Sequence, residues 1–219
     1  MKTIQFAGKS FVLDTSGLLL WPQLEIAVVA DLHLEKATYF AQHGQLLPPQ
    51  ESYETLLNLW DALDRVECRS LILLGDSFHD ANGFDRLDNR SRKLWKRICS
   101  KYAVIFVVGN HDGAFIPPDT EGADFLEIER VTFRHQAAPG AVAEISGHYH
   151  PKASLWLRGK RITRSCFIAD ANRIILPAFG TLTGGLDVKS TEVRSLLLSD
   201  FTVHLLGENK VYTVPGHRL

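Results

Sequence analysis

A chain of 219 residues with 45% hydrophobic and 22% charged residues has the material for a full core and fits one globular domain. Its net charge of −1 gives no bulk attraction to nucleic acid or membrane, so any such affinity must reside in local patches. The three cysteines, Cys68, Cys99 and Cys166, are too few and too scattered for a disulfide framework or a thiolate metal site. They point to a reducing cytoplasm.

Residues 3–20 alternate apolar and polar side chains, with a turn at Asp14–Gly17, which predicts a β-hairpin. Lys9 and Ser10 interrupt this stretch, so it lacks the apolar segment of a signal peptide, and no run in the chain approaches the ~18–20 apolar residues of a membrane span. EIAVVAD, 25–31, is a continuous apolar run closed by an acid, the pattern of a strand buried on both faces. From Pro49 to Leu63, the residues Leu56, Leu59, Trp60 and Leu63 recur at helical spacing. A second buried strand is predicted over 70–76, SLILLGD. A helix follows over 84–101, with Phe84, Leu87, Leu94 and Ile98 on one side, and then a third buried strand over 102–110, YAVIFVVGN. Beyond Gly113 short alternating runs lie near 124–134, 141–146, 153–158, 161–169, 173–176, 191–196 and 201–214. Gly, Pro, Asp and Asn separate them, as they separate antiparallel strands. There is no internal repeat and no linker-like composition. The order predicts an α/β fold with a two-layered β-sheet core, a β-sandwich, flanked by helices, over a single domain of residues 1–219.

Each buried strand ends in residues able to bind a cation. The first ends in Asp31 and His33. The second ends in Asp76, with His79 and Asp80 just beyond, and the third in Asn110, His111 and Asp112. Ligand sites of α/β sheets lie at the carboxyl ends of the strands, so these three edges point to one place. His148 and His150, in SGHYHP, are two residues apart, as are Asp31 and His33. In an extended segment that spacing sends both side chains to one face. Alone, each short motif reads more readily as a turn or a surface pair than as metal ligands. Four of them at strand ends, in compatible chemistry, point to a metal site.

In this order the motifs resemble those of the calcineurin-like metallophosphoesterase superfamily, whose pattern is Asp-x-His, Gly-Asp-x-x-Asp, Gly-Asn-His-Asp/Glu, a lone His, then Gly-His-x-His. Here they are Asp31–His33, Gly75–Asp76, Gly109–Asp112, His135 in FRHQ, and Gly147–His150. One departure is His79, where the family usually has Asp or Asn; Asp80 follows it. The small size and FRHQ are also similar to a bacterial group of ligase-associated DNA damage response endonucleases.

The resemblance implies two divalent cations. Asp31, His33, Asp76 and His150 would hold the first, and Asp76, Asn110, His135 and His148 the second, with Asp76 bridging because its two oxygens can face two cations. Imidazole, carboxylate and amide ligands suit Mn²⁺, Fe²⁺ or Zn²⁺ better than Ca²⁺ or Mg²⁺, and Mn²⁺ is favoured. Such a pair, about 3.5–4 Å apart, acidifies a bridging water and neutralises charge on the phosphoryl group. His111, beside a ligand but not one itself in the family pattern, is the candidate proton donor to the leaving group, with Asp112 orienting it; Asp112 reads equally as a simple turn cap.

Arg86, Arg90, Lys93 and Arg97 form a stripe at helical spacing. LRGKRITR, 157–164, adds Arg158, Lys160, Arg161 and Arg164 around a hairpin turn. Both could follow a phosphodiester backbone, with Asn110, Arg90 and Lys93 as substrate-binding residues; both could equally be solvated faces. The favoured expectation is a phosphodiesterase, in particular a DNA endonuclease with DNA-repair partners. The alternatives are a phosphomonoesterase or nucleotide hydrolase acting on a small molecule, and a non-catalytic scaffold. His43, His204 and His217 have no motif around them. In a metallophosphoesterase the glycine-rich FGTLTGG, 179–185, would be a loop at the rim of the site.

Overall fold

A computed structural model describes residues 1–219, Leu157 by its backbone alone. The chain opens with three antiparallel strands, β1 (Lys2–Phe6), β2 (Lys9–Leu13) and β3 (Leu19–Trp21), where one hairpin was expected. The extra turn is Ala7–Gly8, both with positive φ. A two-residue turn of this kind needs no proline or polar cluster to announce it.

After a 3₁₀ turn, Pro22–Leu24, β4 (Ile26–Val29) pairs antiparallel with β3. It begins a parallel set with β5 (Ser70–Leu74), β6 (Ala103–Val107) and β7 (Glu121–Ala123), which completes a seven-stranded sheet in sequence order. The crossovers carry α1 (Lys36–Gln42), α2 (Glu51–Asp64), α3 (Gly83–Arg86) and α4 (Asn89–Lys101). The sequence pattern does not reveal α1, which is short and fully buries only Ala37. The helix predicted over 84–101 is two helices. Leu87 turns extended, and the Asp88 carboxylate caps α4 by accepting the Ser91 N–H at 2.7 Å.

The second sheet is built from β8 (Phe125–Ile128), β9 (Val131–Arg134), β10 (Glu144–Ser146), β11 (Lys152–Leu157), β12 (Lys160–Ala169), β13 (Arg173–Ile175), β14 (Thr202–Leu206) and β15 (Val211–Pro215). Its order is β15-β14-β12-β13-β10-β9-β8, with β11 on β12. The strand expected over 191–196 is instead a helical turn, α5 (Thr191–Arg194), capped by Ser190. The chain belongs to the α/β class, with the two layers of sheet read from the sequence.

Two cores fix the first sheet between its neighbours. Ile26, Val28 and Ala30, then Ile72 and Leu74, face Val131, Phe133, Ile145, Phe167 and Ile174 of the second sheet. The alternate residues Ala27, Val29, Leu71 and Leu73 pack under Leu56, Leu59 and Leu63 of α2 and Leu94, Trp95 and Ile98 of α4. This is why β4 and β5 are apolar at every position. Truncating such a buried leucine to alanine costs about 2–5 kcal/mol. The helices α2 and α4 cover only the first sheet. A third cluster, including Cys166, Ile168, Val193, Phe201 and Val203, covers the outer side of the second.

Candidate metal centre

The loops leaving β4, β5, β6, β9 and β10 all reach one end of the sandwich, and each carries site residues. Backbone bonds tie them together: Asp31 N–H to Gly75 O at 3.1 Å, His33 N–H to Asp76 O at 2.9 Å, and Gly147 N–H to His135 O at 2.9 Å. The expectation that Asp31/His33 and His148/His150 lie in extended segments fails. All four residues, and Asp76, have φ between 46° and 70°. The chain leaves each strand through a tight loop, and it is the loop, not strand alternation, that turns these side chains inward. Left-handed non-glycine residues cost about 1–3 kcal/mol each and gather where the surrounding structure enforces them. Two glycines permit the crowding. A Cβ at Gly75 would overlap the His135 ring, and one at Gly109 would overlap the Asp76 backbone and carboxylate.

Two groups of ligand-type atoms result: Asp31, His33 and His150, and Asp76, His135 and His148. In the first, His33 Nε2 lies 3.2 Å from His150 Nε2, which is 3.3 Å from Asp31 Oδ1. In the second, His135 Nε2 lies 3.0 Å from His148 Nδ1, 2.9 Å from Asn110 Oδ1 and 3.2 Å from Asp76 Oδ2. Asp76 Oδ2 is also 3.9 Å from His33 Nε2, so it faces both groups. Its other oxygen accepts the His111 N–H at 2.8 Å. The outlook toward both groups therefore belongs to one carboxylate oxygen rather than being divided between two.

This donor set fits cations. Asp31 Oδ1 is buried without a hydrogen-bond partner among the described residues, while Asp31 Oδ2 is held by the His148 N–H at 2.9 Å. Ring nitrogens face ring nitrogens at hydrogen-bond distance, close enough for their lone pairs to converge on one cation. Electrostatics agree. Burial, then His150, lowers the pKa of His33 to about 3, and burial and His135 lower that of His148, so both rings present lone pairs. Burial alone would raise Asp76. The hydrogen bond and charge of His135, with the His111 N–H, outweigh it and hold Asp76 near 2. His135 is correspondingly raised: its desolvation is overcome by Asp76 and Asp31.

His111 stands beside these groups, with its Nε2 3.9 Å from Asp76 Oδ2. Asp112 does not orient its ring. Its oxygens accept the Phe78 and Gly109 N–H groups, each at 2.9 Å, and burial raises its pKa to about 6. Asp112 thus ties the loop after β6 to the loop after β5. The contact on the His111 ring comes from the His79 carbonyl, 3.0 Å from Nδ1. The His79 ring stacks on His111 at 5.1 Å and, with His33, makes a third histidine group that the sequence motifs did not announce. Asp80 is ion-paired with Arg86, whose Nε donates to Thr38 Oγ1 at 3.0 Å.

The 179–185 loop does border the site: Phe179 and Gly180 donate N–H groups to the Ala30 and Asp31 carbonyls at 3.0 and 3.1 Å. Lys36 and Lys152, which sit in no motif, hold it by bonds of 3.0 and 3.3 Å to Leu182 O and Thr183 O. Of the basic stripe, Arg90 lies over the Tyr53 ring at 4.0 Å and Arg97 over Trp60 at 3.9 Å, while Lys93 is exposed. The stripe therefore partly serves the packing of α4 on α2.

A two-sheet α/β sandwich with histidine, carboxylate and amide side chains gathered at its strand ends is the arrangement expected of a metallophosphoesterase. The profile of the calcineurin-like phosphoesterase family matches residues 24–160, which include every residue of both groups, and the chain belongs to that family. Among solved structures it is similar to the Pseudomonas putida nuclease MPE, with 27% identity, a TM-score of 0.77 and coverage of 97% of this chain and 99% of that one. A Streptococcus pneumoniae protein described as a predicted phosphoesterase aligns at 18% identity over 87% of this chain and 95% of that one, with a TM-score of 0.33. No curated protein matches. Among the described residues no helix is long and apolar enough to cross a membrane.

Proposed function

We propose that this phosphoesterase is a phosphodiesterase that requires two divalent cations, with Mn²⁺ favoured, and cuts nucleic-acid backbones as a DNA endonuclease in cytoplasmic DNA repair. The observation that carries the two-cation reading is Asp76 Oδ2, which faces His33 of one ligand group and His135 of the other. The printed description of the Pseudomonas putida protein as a nuclease, together with full-length coverage, supports nucleic acid as the substrate. Bound cations would supply a nucleophile at neutral pH and neutralise charge on the phosphoryl group. The protein's own part is to hold the neutral imidazoles of His33 and His148 and the ionised carboxylate of Asp76 toward that site, to place the Asn110 amide beside the phosphate, and to present His111 to the departing oxygen. Lys93 and Arg90 would touch phosphates further along the strand. The test compares bis-p-nitrophenyl phosphate with p-nitrophenyl phosphate in Mn²⁺: the reading expects the diester to be the better substrate by at least tenfold. A preference for the monoester would turn the assignment to a phosphomonoesterase of small molecules.

A further inference from the structure

Beyond the sheet the first half of β12, Lys160–Ser165, leaves its neighbours and pairs only with β11, so the two strands form a projecting hairpin. Its turn is Arg158–Gly159, both with positive φ, the tight two-residue kind. Residues 151–164 carry five cations, Lys152, Arg158, Lys160, Arg161 and Arg164, and no acid, in a chain whose net charge is −1. Trp156 on β11 is 75% exposed. A tryptophan with so little cover contributes little to folding, and here it borders a groove and stands among cations. It is paired in register with Arg161, so a flat ring and a guanidinium stand side by side on one face. Asp187 faces Arg161 only at 3.9 Å, and that guanidinium is 60% exposed. Beside the hairpin runs a groove of about 580 Å³, lined by Leu155, Trp156, Ile162, Arg164, Leu206 and Tyr212. Lys210 lies over the Tyr212 ring at 4.9 Å, and Glu208 is the groove's one acid.

The hairpin's root is the metal centre. β11 begins two residues after His150, and Trp156 lies six residues along an extended strand, a path of about 20 Å. A strand cut at the centre is therefore within reach of the hairpin a few nucleotides away. We infer that the β11–β12 hairpin is a binding arm for single-stranded nucleic acid, with an unpaired base stacking on Trp156 and flanking phosphates meeting Arg158, Lys160, Arg161 and Arg164. An exposed aromatic ring among cations is what sequence-tolerant single-strand binding uses, and a base inside a duplex has no free face to offer it. The inference rests on the reading of this protein as a phosphodiesterase of nucleic acid and names the form of that substrate.

The experiment uses the full chain. Binding of a fluorescently labelled 30-nucleotide single strand is followed by anisotropy in EDTA for wild type, Trp156→Ala, Trp156→Phe and the double variant Arg158→Ser/Arg161→Ser. Hydrolysis of bis-p-nitrophenyl phosphate with Mn²⁺ is followed in parallel. Trp156→Ala is expected to weaken binding about tenfold, with Trp156→Phe restoring most of it. The double arginine variant should flatten the dependence of log affinity on log salt by roughly 0.7 per lost contact. Aryl diester turnover should stay unchanged in all variants. Single-strand affinity indifferent to Trp156 overturns the arm. So does an equal loss of diester turnover, which would show damage to the His150 loop. If the wild type hydrolyses no diester yet binds the oligonucleotide through Trp156, the arm stands and the phosphodiesterase reading falls. If it hydrolyses the diester and ignores Trp156, the reverse holds.

Discussion

His111 Nδ1 lies 3.0 Å from the carbonyl oxygen of His79, the position where the phosphoesterase pattern usually carries Asp or Asn. A carbonyl only accepts, so Nδ1 carries the proton and the other nitrogen, Nε2, faces the site 3.9 Å from Asp76 Oδ2. The ring is thereby aimed by the His79 backbone, and the His79 ring stacks on its face. His111→Ala is expected to keep the cations and to lose turnover by about 10²–10⁴-fold on diesters with alkyl leaving groups, and by far less on nitrophenyl diesters. A proton donor matters when the departing oxygen is basic and matters little when it is already a stable anion. Rates across a series of leaving groups check this. Equal slowing throughout would remove His111 from that role.

Asp76 is the residue on which both ligand groups depend, since one of its oxygens faces His33 and His135 together. Asp76→Ala should reduce bound metal below one ion per chain and leave less than about 1% of diester turnover, a loss in keeping with removal of a shared ligand. It should also loosen the loop after β6, because the same carboxylate accepts the His111 N–H. Asp76→Asn keeps that acceptor, so it should retain the loop and still lose metal. Elemental analysis of both variants decides, and full occupancy in either would sink the bridging assignment.

Much of this centre was legible because its chemistry lies in residue type: Asp31, Asp76 and Asn110 each follow a strand whose apolar run is unmistakable, while His135, His148 and His150 follow short alternating runs and show only through their histidines. What was not legible depends on backbone shape. The left-handed loops at Asp31, His33, His148 and His150 arise from bonds between loops distant in sequence, and nothing in the spacing of the residues reports them. Asp112 was read as serving His111 because the two are adjacent, whereas its carboxylate answers N–H groups of Phe78 and Gly109. Helix α1 is too short for a period to show, and the single helical turn α5 alternates well enough to pass for a strand. The break at Asp88 was readable in principle, since an Asp three residues before Ser91 is a helix cap, but the apolar period continued across it.

The basic stripe separates into two kinds of residue. Arg90 lies over Tyr53, whereas Lys93 is exposed and makes no hydrogen bond or ion pair among the described residues. Arg90→Gln should therefore cost stability, about 0.5–1 kcal/mol, the usual range for an exposed cation–aromatic contact. Lys93→Glu should leave stability unchanged and weaken action on long nucleic acid, most at low salt, with no effect on a small aryl diester that has no neighbouring phosphates. Urea unfolding of both variants and rate against salt for both substrates separate the two roles. If Lys93→Glu is silent on the long substrate at low salt, the stripe is a solvated and packing face only.

His204, on β14, is 4% exposed, with Nδ1 3.0 Å from Thr213 Oγ1. Burial, and after it the charge of Lys2, lowers its pKa to about 4 from an ordinary 6.5. The unfolded chain then takes up a proton near pH 6.5, while the folded chain resists until pH 4. Between these values the unfolded state binds more protons, so stability falls as pH falls. The contribution is complete above pH 6.5 and is lost by pH 4, and it is about 3 kcal/mol if the shift is fully expressed. His204→Gln keeps a polar partner for Thr213 and does not titrate. The ligand histidines titrate equally in both proteins, so the difference between them isolates this residue. Urea unfolding at pH 7.5 and 4.5 should show wild type losing up to about 3 kcal/mol more than the variant, whatever the variant's starting stability. Identical pH dependence in the two proteins would mean that His204 titrates alike in the folded and unfolded states, and that its burial exerts no pull on the fold.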